Sequence, residues 1–268
     1  MRDSGIRLNG KKILVTGVSR SMGIGTALTI SLAQAGATVA IHGYSPYDRE
    51  MAYPDTCDSY AIHLADELLK DGYHVYALPS SDLSLKNTPD TLISIASERF
   101  GHLDGLVLNH AYSTNAGIED WTADHIDAHL ITNVRASMLM LRAFAKQLPA
   151  NVPASVTLFT SGQYLGPMID EIAYAVSKDA IIGLCRQAAV ALASRGIRVN
   201  CINPGPTDTG YFPPDSDLHK KIAAQFPSGK WGTPEDAAHL VLFLQSESSR
   251  WITGQVIASE GGFRRDFG

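Results

Sequence analysis

"TGVSRSMGIG", residues 16–25, decides the fold. It follows the apolar run "KKILV" and leads into "TALTISLAQAGA", whose apolar residues have helical spacing. A strand that ends in glycines at the start of a helix is the setting of a phosphate-binding loop. Unpaired N–H groups and the helix dipole attract an anion there, and glycines let the backbone approach it closely. The glycines stand at Gly17, Gly23 and Gly25, so the usual G-x-G-x-x-G spacing is absent. On its own the stretch suits a plain strand–turn–helix as well as a dinucleotide site.

The rest of the chain supplies the context. Candidate strands fall at 12–17, 38–43, 74–79, 105–110, 155–161, 197–203 and 255–259, most of them apolar on both faces. Between them lie helical patterns near 24–35, 60–71, 88–99, 122–147, 172–194 and 234–245. Gly36, Gly72 and Gly196 sit where helices would end, and Thr233-Pro234 reads as an N-cap followed by proline in the first turn. Strand–helix alternation of this kind predicts an α/β fold. We expect one doubly wound, Rossmann-type domain over residues 1–268, with a seven-stranded parallel sheet flanked by helices on both faces. Residues 44–59, "YSPYDREMAYPDTCDS", form a long polar and aromatic connection of the sort that is functional or mobile.

Composition narrows the function. The net charge is −5 and no basic run exceeds two residues, which argues against nucleic acid as a partner. Cys57, Cys185 and Cys201 are scattered, with no metal-binding or disulfide pattern, and suit a reducing cytoplasm. "MRDSGIRLNGKK" has no apolar core of a signal peptide, and no apolar run approaches membrane-spanning length. The expectation is a cytoplasmic protein without a metal and without a membrane partner.

The chemistry lies in "SGQYLGPMIDEIAYAVSK". Tyr174 and Lys178 are four apart on a predicted helix and share a face, and Ser161 ends the preceding strand. All three then meet at the C-terminal edge of a parallel sheet, where ligands bind. Reducing a ketone with a nicotinamide requires a hydride from the cofactor and a proton for the carbonyl oxygen. A phenol can deliver the proton, but its ordinary pKa is about 10. A neighbouring ammonium such as Lys178 lowers it. Ser161 can hold the carbonyl oxygen as charge develops.

With these motifs the chain resembles the short-chain dehydrogenase/reductase family. The resemblance runs through "TG…GIG" (16–25), "LNHA" (108–111), "TNVRA" (132–136), Ser161, Y-x-x-x-K (174–178), "INPGPTDT" (202–209) and "WITGQVIASEGG" (251–262). It implies Tyr174 as general acid/base, Lys178 lowering its pKa and holding the nicotinamide ribose, and Ser161 as donor to the substrate carbonyl. It implies Asn133 as the fourth member, anchoring the lysine through a water. For the cofactor it implies the loop residues Gly17, Ser19, Arg20, Gly23 and Ile24, then Asp82 and Leu83 at the adenine and Asn109 on the adenosine side. Pro204, Gly205, Thr207 and Thr209 would run along the nicotinamide face.

Two departures stand out. The glycine loop is two residues longer than the family's TGxxxGxG, and the family's NNAG reads "NHAY", with His110 and Tyr112 as the new residues. We read His110 as a tolerated polar residue at a strand end and Tyr112 as narrowing the substrate pocket. No acidic residue stands at His42, Gly43, Tyr44 or Ser45, and Asp48 lies further on. With Arg20 in the loop, this predicts NADP(H) rather than NAD, since arginine's planar fork suits a 2′-phosphate. Arg49 is a weaker candidate for the same role.

The family pattern is closest to bacterial 3-oxoacyl-carrier-protein reductases, and Ile181 stands where the enoyl-reducing branch would place its lysine. An acidic carrier protein needs a basic docking face. "QLPANVPAS" (147–155) has no Lys or Arg, so a small free ketone or alcohol remains an alternative. Gln163, Tyr164, Pro206, Tyr211, Phe212 and Tyr112 are the candidate pocket residues. The apolar surfaces of 122–147 and 172–194 predict a homo-oligomer, a tetramer or a dimer. A non-catalytic dinucleotide sensor or a scaffold on the same fold would be expected to lose part of the Ser161/Tyr174/Lys178/Asn133 set, which is intact here.

Overall fold

The computed structural model describes residues 5–264. The β-rich runs become β1 (Lys12–Thr16), β2 (Thr38–His42), β3 (Val75–Ala77), β4 (Gly105–Leu108), β5 (Ala154–Phe159), β6 (Ile197–Asn203) and β7 (Val256–Ala258). They form one seven-stranded sheet in the order β3-β2-β1-β4-β5-β6-β7, with every pair parallel. Thr16 is level with His42 of β2 and with Leu108 of β4, so three strands end side by side.

The two faces of the sheet are both covered, which is why most of the strands are apolar on both faces. Along β1, Leu14 belongs to one core cluster while Ile13 and Val15 belong to the other. The first cluster takes residues from α4 (Thr88–Phe100), α6 (Ala136–Gln147) and α7 (Ile172–Leu192). The second takes residues from α1 (Ile24–Gln34), α3 (Tyr60–Lys70) and α9 (Pro234–Gln245). Among the described residues, no helix is long and apolar enough to cross a membrane.

Three features depart from the sequence reading. The single helix expected over 122–147 is interrupted: α5 (Ala123–His129) and α6 are joined by a π-helical turn, Leu130–Arg135. A π turn carries an extra residue per turn, and apolar periodicity does not reveal it. The turn buries Asn133, whose amide bonds to the Tyr112 backbone and to Ser177. The long connection 44–59 contains a helix, α2 (Ser45–Glu50), with proline in its first turn. A further helix, α8 (Asp217–Ala223), is capped by the Ser216 hydroxyl accepting from the His219 N–H.

The end of β2 is set by contact with the glycine loop. The Val18 N–H donates to the His42 carbonyl at 2.9 Å, and a Cβ placed on Gly43 would lie 2.2 Å from the Val18 oxygen. Gly43→Ala forces this backbone apart. We expect a loss of about 1–3 kcal/mol in stability, measured by urea unfolding, the usual cost of overpacking.

Candidate active site

A cavity of about 760 Å³ opens along the C-terminal edge of the sheet. Its floor is the glycine loop and the ends of β1 and β4, with Gly17, Ser19, Gly23, Ile24, Asn109 and His110 exposed to it. A Cβ on Gly25 would lie 2.2 Å from the Gly17 oxygen, so the loop closes tightly on the start of α1. Asn109 braces that closure by donating to the Thr16 and Gly17 carbonyls at 3.2 and 3.0 Å. The first turn of α1 has no side-chain cap and no acidic residue. An uncapped helix start facing a cavity fits a dinucleotide's pyrophosphate. Asp82 and Leu83 stand on the wall beyond β3.

At the far end Tyr174 reaches the cavity from α7. The Ser161 hydroxyl hydrogen-bonds the Tyr174 phenol. Lys178, one turn on, is fully buried, with its Nζ 5.5 Å from the Tyr174 ring centre and donating to the Phe159 carbonyl at 3.0 Å. Burial pushes the Tyr174 pKa up to about 12, with the Ser161 bond acting against it, and lowers Lys178 to about 8. In the chain by itself, burial is the dominant influence on the Tyr174 phenol. Asn133 is not aimed at Lys178. Its Oδ1 accepts the Tyr112 N–H at 2.7 Å, and its Nδ2 donates to the Tyr112 carbonyl and the Ser177 hydroxyl. The Ser177 hydroxyl donates to the Tyr174 carbonyl, so Asn133 ties the β4 wall to the turn of α7 that carries the tyrosine.

The two histidines on the floor are neutral. Burial lowers His42 to about 4 and His110 to about 3. His110 Nδ1 lies 2.7 Å from the Thr16 hydroxyl, which fits a structural strand-end residue.

Residues 44–59 fold back over the cavity as a strap, and the lengthened glycine loop holds it. The Asp55 carboxylate accepts from Arg20 Nε at 2.7 Å, from the Ser21 hydroxyl at 3.1 Å and from the Met22 N–H at 2.8 Å. Arg20 also donates to the Thr209 carbonyl at 2.6 Å, and its guanidinium lies 3.7 Å from the Tyr53 ring centre. Burial alone would raise the Asp55 pKa, but the Met22 N–H and Arg20 outweigh it and hold it below the ordinary value. Asp48, also on the strap, is buried against the cavity, and that burial raises its pKa against a bond from Ser19 and the charge of Arg20.

The placement of the sequence candidates is uneven. Arg20 does line the cavity, yet it is no free phosphate receptor, since its Nε is held by Asp55 and its Nη2 by the Thr209 carbonyl. Arg49 pairs with Asp58 on the surface. Thr209 lines the cavity, whereas Pro204, Gly205 and Thr207 are off its wall in a turn, where the Gly205 N–H donates to Asn203. Of the six pocket candidates only Tyr112 lines the cavity. Gln163 points inward to Thr160 and Asp179. Tyr164 accepts from Asn203. Pro206 lies beneath Gly232. Tyr211 and Phe212 pack on each other at the rim, with Tyr211 5.9 Å from Tyr53. Sequence reasoning missed the strap residues Tyr47, Asp48, Tyr53 and Asp55. The signal was the coincidence of two extra loop residues with a long tyrosine-rich connection.

This is the architecture of a doubly wound dinucleotide-binding protein, and comparison with known proteins agrees. A family model described as "Enoyl-(Acyl carrier protein) reductase" matches residues 17–264. The chain is 34% identical over 257 residues to "Uncharacterized oxidoreductase YjdA" of Bacillus subtilis (strain 168), covering 95% of this chain and 97% of that protein. It is 31% identical over 251 residues to the "3-oxoacyl-[acyl-carrier-protein] reductase FabG" of Aggregatibacter actinomycetemcomitans, covering 93% and 98%. A solved short chain dehydrogenase from Burkholderia cenocepacia J2315 in complex with NADP is similar at a TM-score of 0.83 and 32% identity, covering 96% of this chain and 98% of that one. The chain belongs to the short-chain dehydrogenase/reductase family, a family of oxidoreductases.

The contacts of Asp55 with Arg20, Ser21 and Met22 form a latch between strap and loop, and substitution tests it. Asp55→Ala leaves Arg20 buried without its partner and should cost about 3 kcal/mol. Hydrogen exchange across 44–59 should speed up in this variant. Because the folded pKa is depressed, the latch is complete above the ordinary carboxylate pKa and is lost as pH falls through the lower folded value. Exchange in the wild type, corrected for intrinsic rates, should rise toward the variant's below about pH 4, while the variant stays flat.

Proposed function

We propose that this protein is an NADP(H)-dependent oxidoreductase that interconverts ketones and alcohols, with Tyr174 as general acid/base. The observation that carries the reading is the Ser161–Tyr174 hydrogen bond at the cavity edge beside the buried Lys178. The dinucleotide, when bound, supplies or accepts the hydride. The glycine loop and the start of α1 would hold its phosphates, and Asp82, Leu83 and Asn109 its adenosine half. Tyr174 is held protonated by burial, so it enters reduction as the acid and gives its proton to the carbonyl oxygen. Ser161 donates to the same oxygen as charge grows on it. Lys178, fixed by the Phe159 carbonyl, supplies the positive charge that favours the phenolate left behind. Asn133 positions the set by tying Tyr112 to Ser177.

Support for NADP(H) comes from the solved relative with NADP and from the end of β2. Gly43 is pressed against Val18, so no side chain fits at that position, and His42, Tyr44 and Ser45 beside it carry no carboxylate for an NAD ribose. Two substrate classes fit the Tyr–Lys chemistry: 3-oxoacyl thioesters, named for the relative from Aggregatibacter, and free ketones. Charge favours free ketones. The charged residues lining the cavity are Asp48, Glu50, Asp82, Asp124 and Asp127, with Arg20 already paired. Asp124 and Asp127 lie outside the residues assigned to the cofactor, and a phosphate arm entering beside them would meet repulsion.

The exposed Met138 on α6 and Val176 and Val190 on α7 support association through these helices, and we infer a dimer or tetramer in the cytoplasm. Light scattering at micromolar concentration should give at least twice the chain mass, and a monomeric mass would refute this.

Tyr174→Phe should lower kcat for ketone reduction by about 10²-fold or more while NADPH still binds. Equal inertness of wild type and variant toward every ketone, with NADPH bound by both, would favour a dinucleotide sensor. Titration should show tighter binding of NADPH than of NADH; the reverse order would overturn the cofactor assignment.

A further inference from the structure

We propose that the strap, residues 44–59, selects the substrate, with Tyr53 and Tyr47 as specificity-determining residues for an uncharged carbonyl compound bearing a flat aromatic group. The proposal rests on the oxidoreductase reading and goes beyond it by naming the substrate class and a segment outside the Ser–Tyr–Lys set. Tyr47, Tyr53 and Tyr112 all line the cavity that Tyr174 reaches. Tyr53 packs under Arg20 of the glycine loop, lies 5.9 Å from Tyr211 and lines the same cavity as Tyr174, so the strap spans from the glycine loop toward the reacting end. The rings are tilted against one another: Tyr47 and Tyr112 centre to centre at 5.3 Å, Tyr53 and Tyr211 at 5.9 Å, Tyr47 and Tyr53 at 6.4 Å. A wall of tilted rings offers faces and edges to a flat apolar group, which stacks better there than a puckered one.

Both tyrosines are pinned before any ligand arrives. The Tyr47 hydroxyl donates to the Ser113 carbonyl at 2.8 Å and accepts from the Ser113 N–H at 3.2 Å. Tyr53 lies under the Arg20 guanidinium, and two residues on, Asp55 is locked into the glycine loop. Immobilised rings bind a partner without the cost of ordering them. The ring wall favours a flat neutral group, and Asp124 and Asp127, outside the residues assigned to the cofactor, offer no attraction to an anion. The same ring faces could instead take the cofactor's own rings, so the experiment separates the two.

The test uses the full chain with NADPH and matched pairs of ketones that differ only in a phenyl or a cyclohexyl group. The wild type should show KM about tenfold lower for the phenyl member, the size of one aromatic stacking contact. Tyr53→Leu should remove that preference, raising KM for the phenyl ketone about tenfold more than for the cyclohexyl one. Tyr53→Phe keeps the ring and should keep the preference. On the NADPH-loaded wild type, the phenyl ketone should slow hydrogen exchange within 44–59 more than its cyclohexyl counterpart; this readout needs neither turnover nor a folded variant. The proposal is overturned by equal KM values in the wild type, or by a preference that survives Tyr53→Leu. It is equally overturned if strap exchange is blind to the ring, or if Tyr53→Leu weakens NADPH binding as much as it weakens the phenyl ketone. If no ketone is reduced yet the exchange and calorimetric binding still favour the phenyl member, the catalytic reading has failed and the strap assignment stands.

Discussion

β1 has β2 on one side and β4 on the other, and the crossovers that leave β1 for β2 and β4 for β5 go in opposite directions across the sheet. A crevice opens between the two diverging halves at the C-terminal ends of these strands, where ligands bind in such sheets. The close contact of Gly25 with the Gly17 carbonyl draws the start of α1 down onto that crevice. Asn109 then closes β4 against the same carbonyl. Cavity floor, helix terminus and the approach to Tyr174 all follow from the point where the strand order reverses.

The loop at this point is longer than the family pattern, and the added residues have an assignable task. Ser21 and Met22, with Arg20, make a three-donor receptor for the Asp55 carboxylate. Met22 also packs against Gly210, and Arg20 holds the Thr209 carbonyl, so the loop joins the strap to the segment that follows β6. The arginine expected to stand ready for a phosphate is thereby a structural hub as well as a cavity residue. Any anion that approaches it competes with Asp55.

The sequence made the sheet legible because most strands are apolar on both faces and several helices are punctuated by a glycine or a cap. The positions of Ser161, Tyr174 and Lys178 were legible for the same reason: helical spacing and a strand end place them without tertiary knowledge. The π turn at Asn133 was not, because a single extra residue leaves the apolar stripe almost undisturbed. The pocket candidates failed where a side chain had two directions open to it. Gln163 turned away from the cavity, and its amide nitrogen donates to Thr160 and Asp179. The pKa of Tyr174 was not legible either, because desolvation depends on everything packed around the ring. The strap was visible only as an odd length, since nothing local in "YPDTCDS" says that its aspartate will reach back 33 to 35 residues to a glycine loop.

That reach has a consequence for descent. The lengthened loop and the strap are separated in the chain but complete each other's hydrogen bonds, so neither is a neutral insertion without its partner. A lineage that trimmed the loop would leave Asp55 without its donors, and one that trimmed the strap would leave a buried arginine without its acid. The two lengths form one heritable character, and relatives should carry both or neither.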